Sequence, residues 1–299
     1  MLKVIINIVS AEDSTDMRTL TAFLAFAFLV VGLSNESRAD RRIFGFTYSY
    51  PTLPKGSREI EHYLDMGILP EAEVAPETLP GLTDIRPAFR HQLEFEYGIT
   101  DRLDLGFYNV FRQDVGEPFE YRGIKLRSRY RFGEEGDHPV DIGVYGEIFY
   151  FGDAYGFEER LIVSKAVRRI QIDFNLKLEQ EWELEVAEDR APAGCDLDVP
   201  PCAITGGEVV SEFALAIVPS LGLGYHVRDW IAVGVELAPE IEIKDGAELT
   251  SAFGPTVSLM GSGFWWTIAA QFRVHPEETS QRSYKDGDVL VRSLLGITL

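Results

Sequence analysis

Sixteen consecutive residues, Ile170 to Glu185, alternate between apolar and polar side chains with a single exception. Ile170, Ile172, Phe174, Leu176, Leu178, Trp182 and Leu184 fall on one face. Gln171, Asp173, Asn175, Lys177, Glu179, Glu181, Glu183 and Glu185 fall on the other, and Gln180 interrupts the apolar series. A period of two is that of a β-strand, whose successive side chains point to opposite faces. Ordinary strands run to about five or six residues. One this long, with a charged face and an apolar face, suits a sheet that crosses a bilayer, where about 9–11 tilted residues span the apolar core.

The same period recurs along the chain. Phe89, His91, Leu93, Phe95 and Tyr97 alternate with Arg90, Gln92, Glu94 and Glu96. Ile124, Leu126, Ser128, Tyr130 and Phe132 alternate with Lys125, Arg127, Arg129 and Arg131, and Ile231, Val233, Val235 and Leu237 with Trp230, Ala232, Gly234 and Glu236. Strands are predicted near 57–66, 88–98, 103–113, 119–132, 140–151, 157–168, 170–185, 208–225, 230–243, 251–261, 263–274 and 288–299. The fold class that follows is all-β, an antiparallel transmembrane barrel of about 12 strands. Short turns at 100–102, 168–169, 226–229 and 261–263 belong on the periplasmic side, and longer connections near 67–87, 186–207 and 275–287 outside the cell. Twelve strands place both termini in the periplasm.

Residues 43–50 complicate the count. Phe44, Phe46, Tyr48 and Tyr50 alternate with Gly45, Thr47 and Ser49, and Pro51 to Gly56 reads as a turn. An N-terminal extension or partial strand is the favoured reading, and a 14-strand barrel the alternative.

The segment before this one is an export signal. Met17-Arg18 precedes the uncharged apolar run Leu20 to Leu33, and Ser37 and Ala39 occupy the small-residue positions of a cleavage site. The run is too short to span a bilayer as a helix. Cleavage is expected after Ala39. Acidic Glu12, Asp13 and Asp16 ahead of the basic residue point to Met17 as the true start. The domain plan is a signal peptide over 1–39 and a barrel over 40–299, delivered to the outer membrane of a Gram-negative cell.

The C-terminus supplies a resemblance. Val289, Val291, Leu295, Ile297 and Leu299 occupy every second position from the end, with Ser293 as the gap. This resembles the C-terminal strand of outer-membrane barrels, most of which end in Phe where Leu299 stands. Tyr97-Gly98-Ile99-Thr100-Asp101-Arg102-Leu103-Asp104-Leu105-Gly106 resembles a turn of uncharacterised Gram-negative barrels of porin or transporter type. The resemblance implies recognition of the last strand by the outer-membrane assembly machinery, and no defined substrate. Aromatic girdles are expected from Phe149, Tyr150, Phe151 and Trp182 at the outer ends, and from Tyr130, Phe132, Tyr225, Trp230, Trp265 and Trp266 near the periplasmic turns.

Composition excludes several alternatives. Asp and Glu number 48 against 28 Lys and Arg, for a net charge of −20, so a nucleic-acid partner is not expected. A mean hydropathy of −0.04 excludes a bundle of spanning helices. Cys195 and Cys202 lie in a predicted outer loop, where the oxidising periplasm favours a disulfide during export. No His or third Cys stands beside them to make a metal site, and no cofactor is expected. None of the five His falls in a hydrolase-like Ser motif or a protease-like Asp/His pattern, so the chain reads as a non-enzyme.

The functional expectation concerns the barrel interior. Lys125, Arg127, Arg129 and Arg131 share one face of their strand. Glu94 and Glu96 share a face of another, and Lys177, Glu179, Glu181 and Glu183 of a third. If these ten line the lumen, a basic wall opposes acidic walls, as in pores selective for ions or small polar solutes. The alternative is a closed structural or surface-interaction barrel whose charges neutralise one another, with acidic loops contacting lipopolysaccharide through divalent cations.

Overall fold

A computed structural model describes residues 42–68, 87–114, 118–186, 209–244, 246–274 and 289–299. The strands are β1 (Arg58–Ile68), β2 (Pro87–Thr100), β3 (Leu103–Asp114), β4 (Glu120–Arg131), β5 (Asp141–Tyr150), β6 (Ala154–Val167), β7 (Ile170–Val186), β8 (Val209–Arg228), β9 (Ile231–Ile243), β10 (Ala247–Met260), β11 (Phe264–Val274) and β12 (Val289–Thr298). Each pairs antiparallel with its neighbours in sequence, and β12 returns to β1, closing the barrel. The seam runs from Glu59 opposite Thr298 to Ile68 opposite Val289. Closure leaves no strand edge unpaired, which a bilayer requires because lipid tails offer the backbone no hydrogen bonds.

Twelve strands account for the whole sheet, so the 14-strand alternative is overturned. An even number brings β1 and β12 together antiparallel at the seam. The connections 69–86, 187–208 and 275–288 follow β1, β7 and β11, and therefore leave from one end of the barrel. The opposite end carries the tight turns at 101–102, 168–169, 229–230 and 261–263.

Alternation sorts the side chains by face. Phe95, Phe107, Leu126, Ile148, Leu161, Leu223, Val235 and Phe253 all project outward among a continuous set of exposed apolar residues. In water such a belt would aggregate; around a closed barrel it is the surface that lipid covers. The polar interruptions of this belt are paired. Gln180 Nε2 donates to Glu159 Oε2 at 3.1 Å, and Trp266 Nε1 donates to Ser293 Oγ at 2.9 Å. His62 Nε2 and His91 Nδ1 meet at 3.3 Å on the same outer side.

Three expected girdle positions are corrected. Trp265 and Phe149 are buried inside the barrel and Phe151 packs against the inner core, so that only Trp266 and Tyr150 of these two aromatic runs project outward. The period of two forces this split, since adjacent aromatics cannot share a face. Tyr130, Phe132, Tyr225 and Trp230 are exposed, as a girdle requires.

Candidate functional site

Residues 42–53 lie inside the barrel, toward the end that carries the tight turns. The segment is extended but joins no ladder. Its backbone groups are satisfied instead by inward side chains of the wall, which is how a buried extended chain meets its obligatory hydrogen bonds without a strand partner. Glu236 Oε1 accepts from Gly45 N at 2.8 Å, and Glu236 Oε2 from Phe46 N at 2.9 Å and Thr47 N at 2.7 Å. Asn175 brackets Tyr48, accepting its N–H at 2.7 Å and donating to its carbonyl at 2.9 Å. Thr256 Oγ1 donates to the carbonyl of Ile43, and Ser258 Oγ to that of Arg42, both at 2.9 Å. Leu53 N donates to Asp104 Oδ2 at 2.9 Å. The segment thus touches β3, β7, β9 and β10.

Its side chains fill the space between these anchors. Phe44 is fully buried beside Gly222, Gly224 and Gly234, where a methyl group on any of the three would contact its ring. Tyr50 Oη donates to the carbonyl of Gly133 at 2.6 Å. The Arg42 guanidinium lies 4.2 Å from the Tyr48 ring centroid and donates to Tyr63 Oη at 2.7 Å. At the mouth, Glu134 Oε2 lies 2.7 Å from Arg131 Nη2 and its Oε1 3.1 Å from Arg102 Nε. The hydrogen bond from Arg131, aided by that from Arg102, lowers the Glu134 pKa below its usual value.

Beside the segment lies a dense ionic network. Arg127 reaches Glu94 at 2.7 Å, Glu96 at 2.8 Å and Asp104 at 2.5 Å. Arg129 reaches Glu96 at 3.0 Å and Asp104 at 2.9 Å. Arg127, Glu94, Glu96 and Asp104 have no exposed side-chain surface, and Arg129 only 1%. The register explains how β4 meets β2 across β3. Gly106 stands opposite both Glu96 and Arg127. Having no side chain, it leaves the room through which Arg127 passes; a Cβ there would strike Arg127 and Glu94. Sequence reasoning set basic against acidic walls across a lumen. The structure places the β4 and β2 walls two strands apart, with Arg127 and Arg129 in direct contact with Glu94 and Glu96, whereas on β7 Glu179 pairs with Lys177 of its own strand.

Other inner ion pairs keep some exposure on their cations: Lys125 pairs with Glu147 at 2.8 Å, Lys177 with Glu179 at 2.6 Å, and Arg292, which also donates to the carbonyl of Gly45, with Asp65 at 2.5 Å. Glu181 and Glu183 stand on the same face of β7, farther from the tight turns, and Glu183 meets Lys244 at 2.9 Å. The interior therefore has two zones: a closed one around residues 42–53, and a mixed-charge zone toward the long connections.

No family profile and no curated protein matches the chain. Among solved structures, an outer-membrane channel from Pseudomonas putida F1 aligns with a TM-score of 0.52 at 10% identity, covering 84% of this chain and 98% of that one. The NanC porin aligns at 0.46 with 8% identity, over 81% and 98%, and the KdgM porin at 0.45 with 8% identity, over 80% and 98%. The chain shares the fold of an outer-membrane channel barrel. At this identity the likeness is one of fold, and the interior of this barrel must be read from its own residues.

Several of those residues were not singled out from sequence. Glu59, Glu61, Tyr63 and Asp65 are all buried on the inner face of β1. Their alternation with Ile60, His62, Leu64 and Met66 is visible in the sequence. Alternation in β9 already put Glu236 on the inner face, but its bonds to residues 45–47 had no sequence signal, nor did the role of Arg42, because both depend on the segment entering the lumen. Cys195 and Cys202 lie outside the described residues.

Proposed function

We propose that this protein is a passive outer-membrane channel for small polar solutes or ions, held shut at its periplasmic end by residues 42–53. One observation carries this reading. A separate stretch of chain, residues 42–53, occupies the interior and is bonded to inward side chains of the wall. Small barrels that serve only as structure are filled by their own inward side chains. Here the filling segment makes no ladder hydrogen bonds and is held by side chains such as Glu236 and Asn175. A segment held in this way can leave without disturbing the sheet.

The tight-turn end is taken as periplasmic, following the usual polarity of such barrels. Cleavage after Ala39 leaves two residues ahead of Arg42, which is itself buried inside the barrel. The outer zone, with Lys125, Lys177, Glu179, Glu181 and Glu183, is then a vestibule of mixed charge that admits polar solutes of either sign. Arg127, Arg129, Glu94 and Glu96 line the closed zone, and Arg131 stands at its periplasmic edge. Lipid and lipopolysaccharide surround the belt, the assembly machinery reads β12, and Cys195 and Cys202 form a disulfide in an outer loop.

A second reading, a permanently closed structural barrel, is favoured by the full burial of the Arg127 network. Conductance in planar bilayers separates the two. The full chain should show rare steps, and a variant lacking residues 42–53 frequent, long-lived ones that change with Glu181→Gln. Heat-modifiable migration in gels checks that each protein is folded. A folded truncated barrel that stays silent would sink the channel reading. N-terminal sequencing of the exported protein tests cleavage after Ala39.

A further inference from the structure

The buried ionic network does not balance. Five carboxylates, Glu59, Glu61, Glu94, Glu96 and Asp104, meet three guanidiniums, those of Arg42, Arg127 and Arg129. All five carboxylates are shielded from solvent. Arg292, on β12 beside β1, is engaged by Asp65. The excess is two negative charges in a water-poor interior, where uncompensated charge costs several kcal/mol per group.

The excess sits in one place. Glu59 and Glu96 are opposed across the β1–β2 ladder, and Glu61 is next on the same face of β1. One carboxylate oxygen from each of the three lies within 4.8 Å of the others. Oxygens bound to one calcium ion at about 2.4 Å can be at most about 4.8 Å apart, so the three can share a single ion. A second observation points the same way. Glu61 Oε1 and Glu96 Oε2 are buried and accept no hydrogen bond among the described residues. Their sister oxygens are occupied: Glu61 Oε2 by Tyr63 at 2.7 Å, and Glu96 Oε1 by Arg127 at 2.8 Å. Glu59 is oriented by Trp265 Nε1 at 2.6 Å and Thr298 Oγ1 at 3.1 Å.

We infer that Glu59, Glu61 and Glu96 hold one hard divalent cation, calcium or magnesium, inside the barrel. An all-carboxylate donor set selects such ions over zinc or copper. A charge of +2 cancels the excess and supplies the partner that the two orphan oxygens lack. Because Arg42 contacts Glu61 (3.5 Å), the ion would also tie residues 42–53 to the wall at the β1–β12 seam.

The test uses the full chain refolded into detergent micelles without lipopolysaccharide, with EDTA, calcium chloride or magnesium chloride present. After desalting, elemental analysis should find one divalent ion per chain, and calcium or magnesium should raise the urea midpoint above that in EDTA. Glu61→Gln should lower ion affinity at least tenfold while the barrel remains heat-modifiable, and Glu59→Gln serves if that variant does not fold. Glu181→Gln, outside the trio, should retain the ion and so exclude binding by the acidic surface. Wild-type protein that keeps no stoichiometric ion and unfolds at one midpoint in all three media would overturn the inference and leave protons as carriers of the excess. So would a Glu61→Gln variant that keeps the ion as tightly as wild type.

Discussion

Glu236 and Gly45, 191 residues apart in sequence, meet inside the barrel where the carboxylate Oε1 accepts the glycine N–H at 2.8 Å. The next two amides, of Phe46 and Thr47, bond to Oε2. One wall side chain therefore satisfies three consecutive donors of the lumenal segment. Glu236→Ala would strand those donors, each worth about 1–3 kcal/mol when buried and unpaired. A loss of about 3 kcal/mol in docking speeds exchange of these amides by roughly a hundredfold, since each 1.4 kcal/mol is a factor of ten. Hydrogen exchange read by mass spectrometry over residues 43–50 checks this, while exchange in the strands should stay unchanged.

Phe44 and Gly222 form a steric pair. A Cβ on Gly222 would lie 2.9 Å from three atoms of the Phe44 ring. Gly222→Ala should destabilise the docked segment by about 1–3 kcal/mol through overpacking, and Phe44→Ala by about 3–5 kcal/mol through the cavity left behind. The double variant should cost less than the sum, because without the ring the added methyl has space. A double-mutant cycle on urea midpoints measures the coupling.

Arg127 holds three carboxylates at once. Removing one partner of a buried ion pair typically costs about 3–5 kcal/mol, because the opposite charge remains buried. Arg127→Met should therefore lower the urea midpoint strongly. Arg127→Lys should recover only part of the loss, since a single ammonium cannot reproduce the guanidinium fork. Equal midpoints for Arg127→Met and wild type would show that the network adds nothing to stability.

Glu134 lies in the exposed turn after β4, where the hydrogen bond from Arg131 lowers its pKa below the usual 4.5. The sign follows from linkage: a depressed carboxyl stabilises the folded turn above the unfolded pKa, and that contribution is lost as pH falls through the lower folded value. A carboxyl-selective NMR titration should place the Glu134 midpoint below 4.5. Arg131→Gln should move it back up, and an unmoved midpoint would show that the contact is not formed in solution.

The strands were legible because their signal is local. Alternation in β2, β4, β7 and β9 marks both the element and its two faces, and the polar exceptions Gln180 and Ser293 could be seen in advance as breaks. What they bond to could not, since Glu159 and Trp266 lie on neighbouring strands. The aromatic girdle was read too broadly, because adjacent residues such as Trp265 and Trp266 were assigned together although a strand separates them to opposite faces. Residues 43–50 carry the period of a strand, and an extended chain shows that period whether a ladder or wall side chains satisfy its backbone.

By itself, the sequence determined a membrane barrel of about twelve strands with an apolar outside and a charged inside, because its strands and their faces are written in a two-residue period within single strands. Tertiary structure alone decided which charges meet and what closes the lumen. Arg127 finds Glu94 and Glu96 only because the register sets Gly106 between them, and Glu236 finds Gly45 only because closure of the sheet encloses a space that residues 42–53 fill. Both are long-range pairings, made by partners that nothing in the neighbouring sequence can specify.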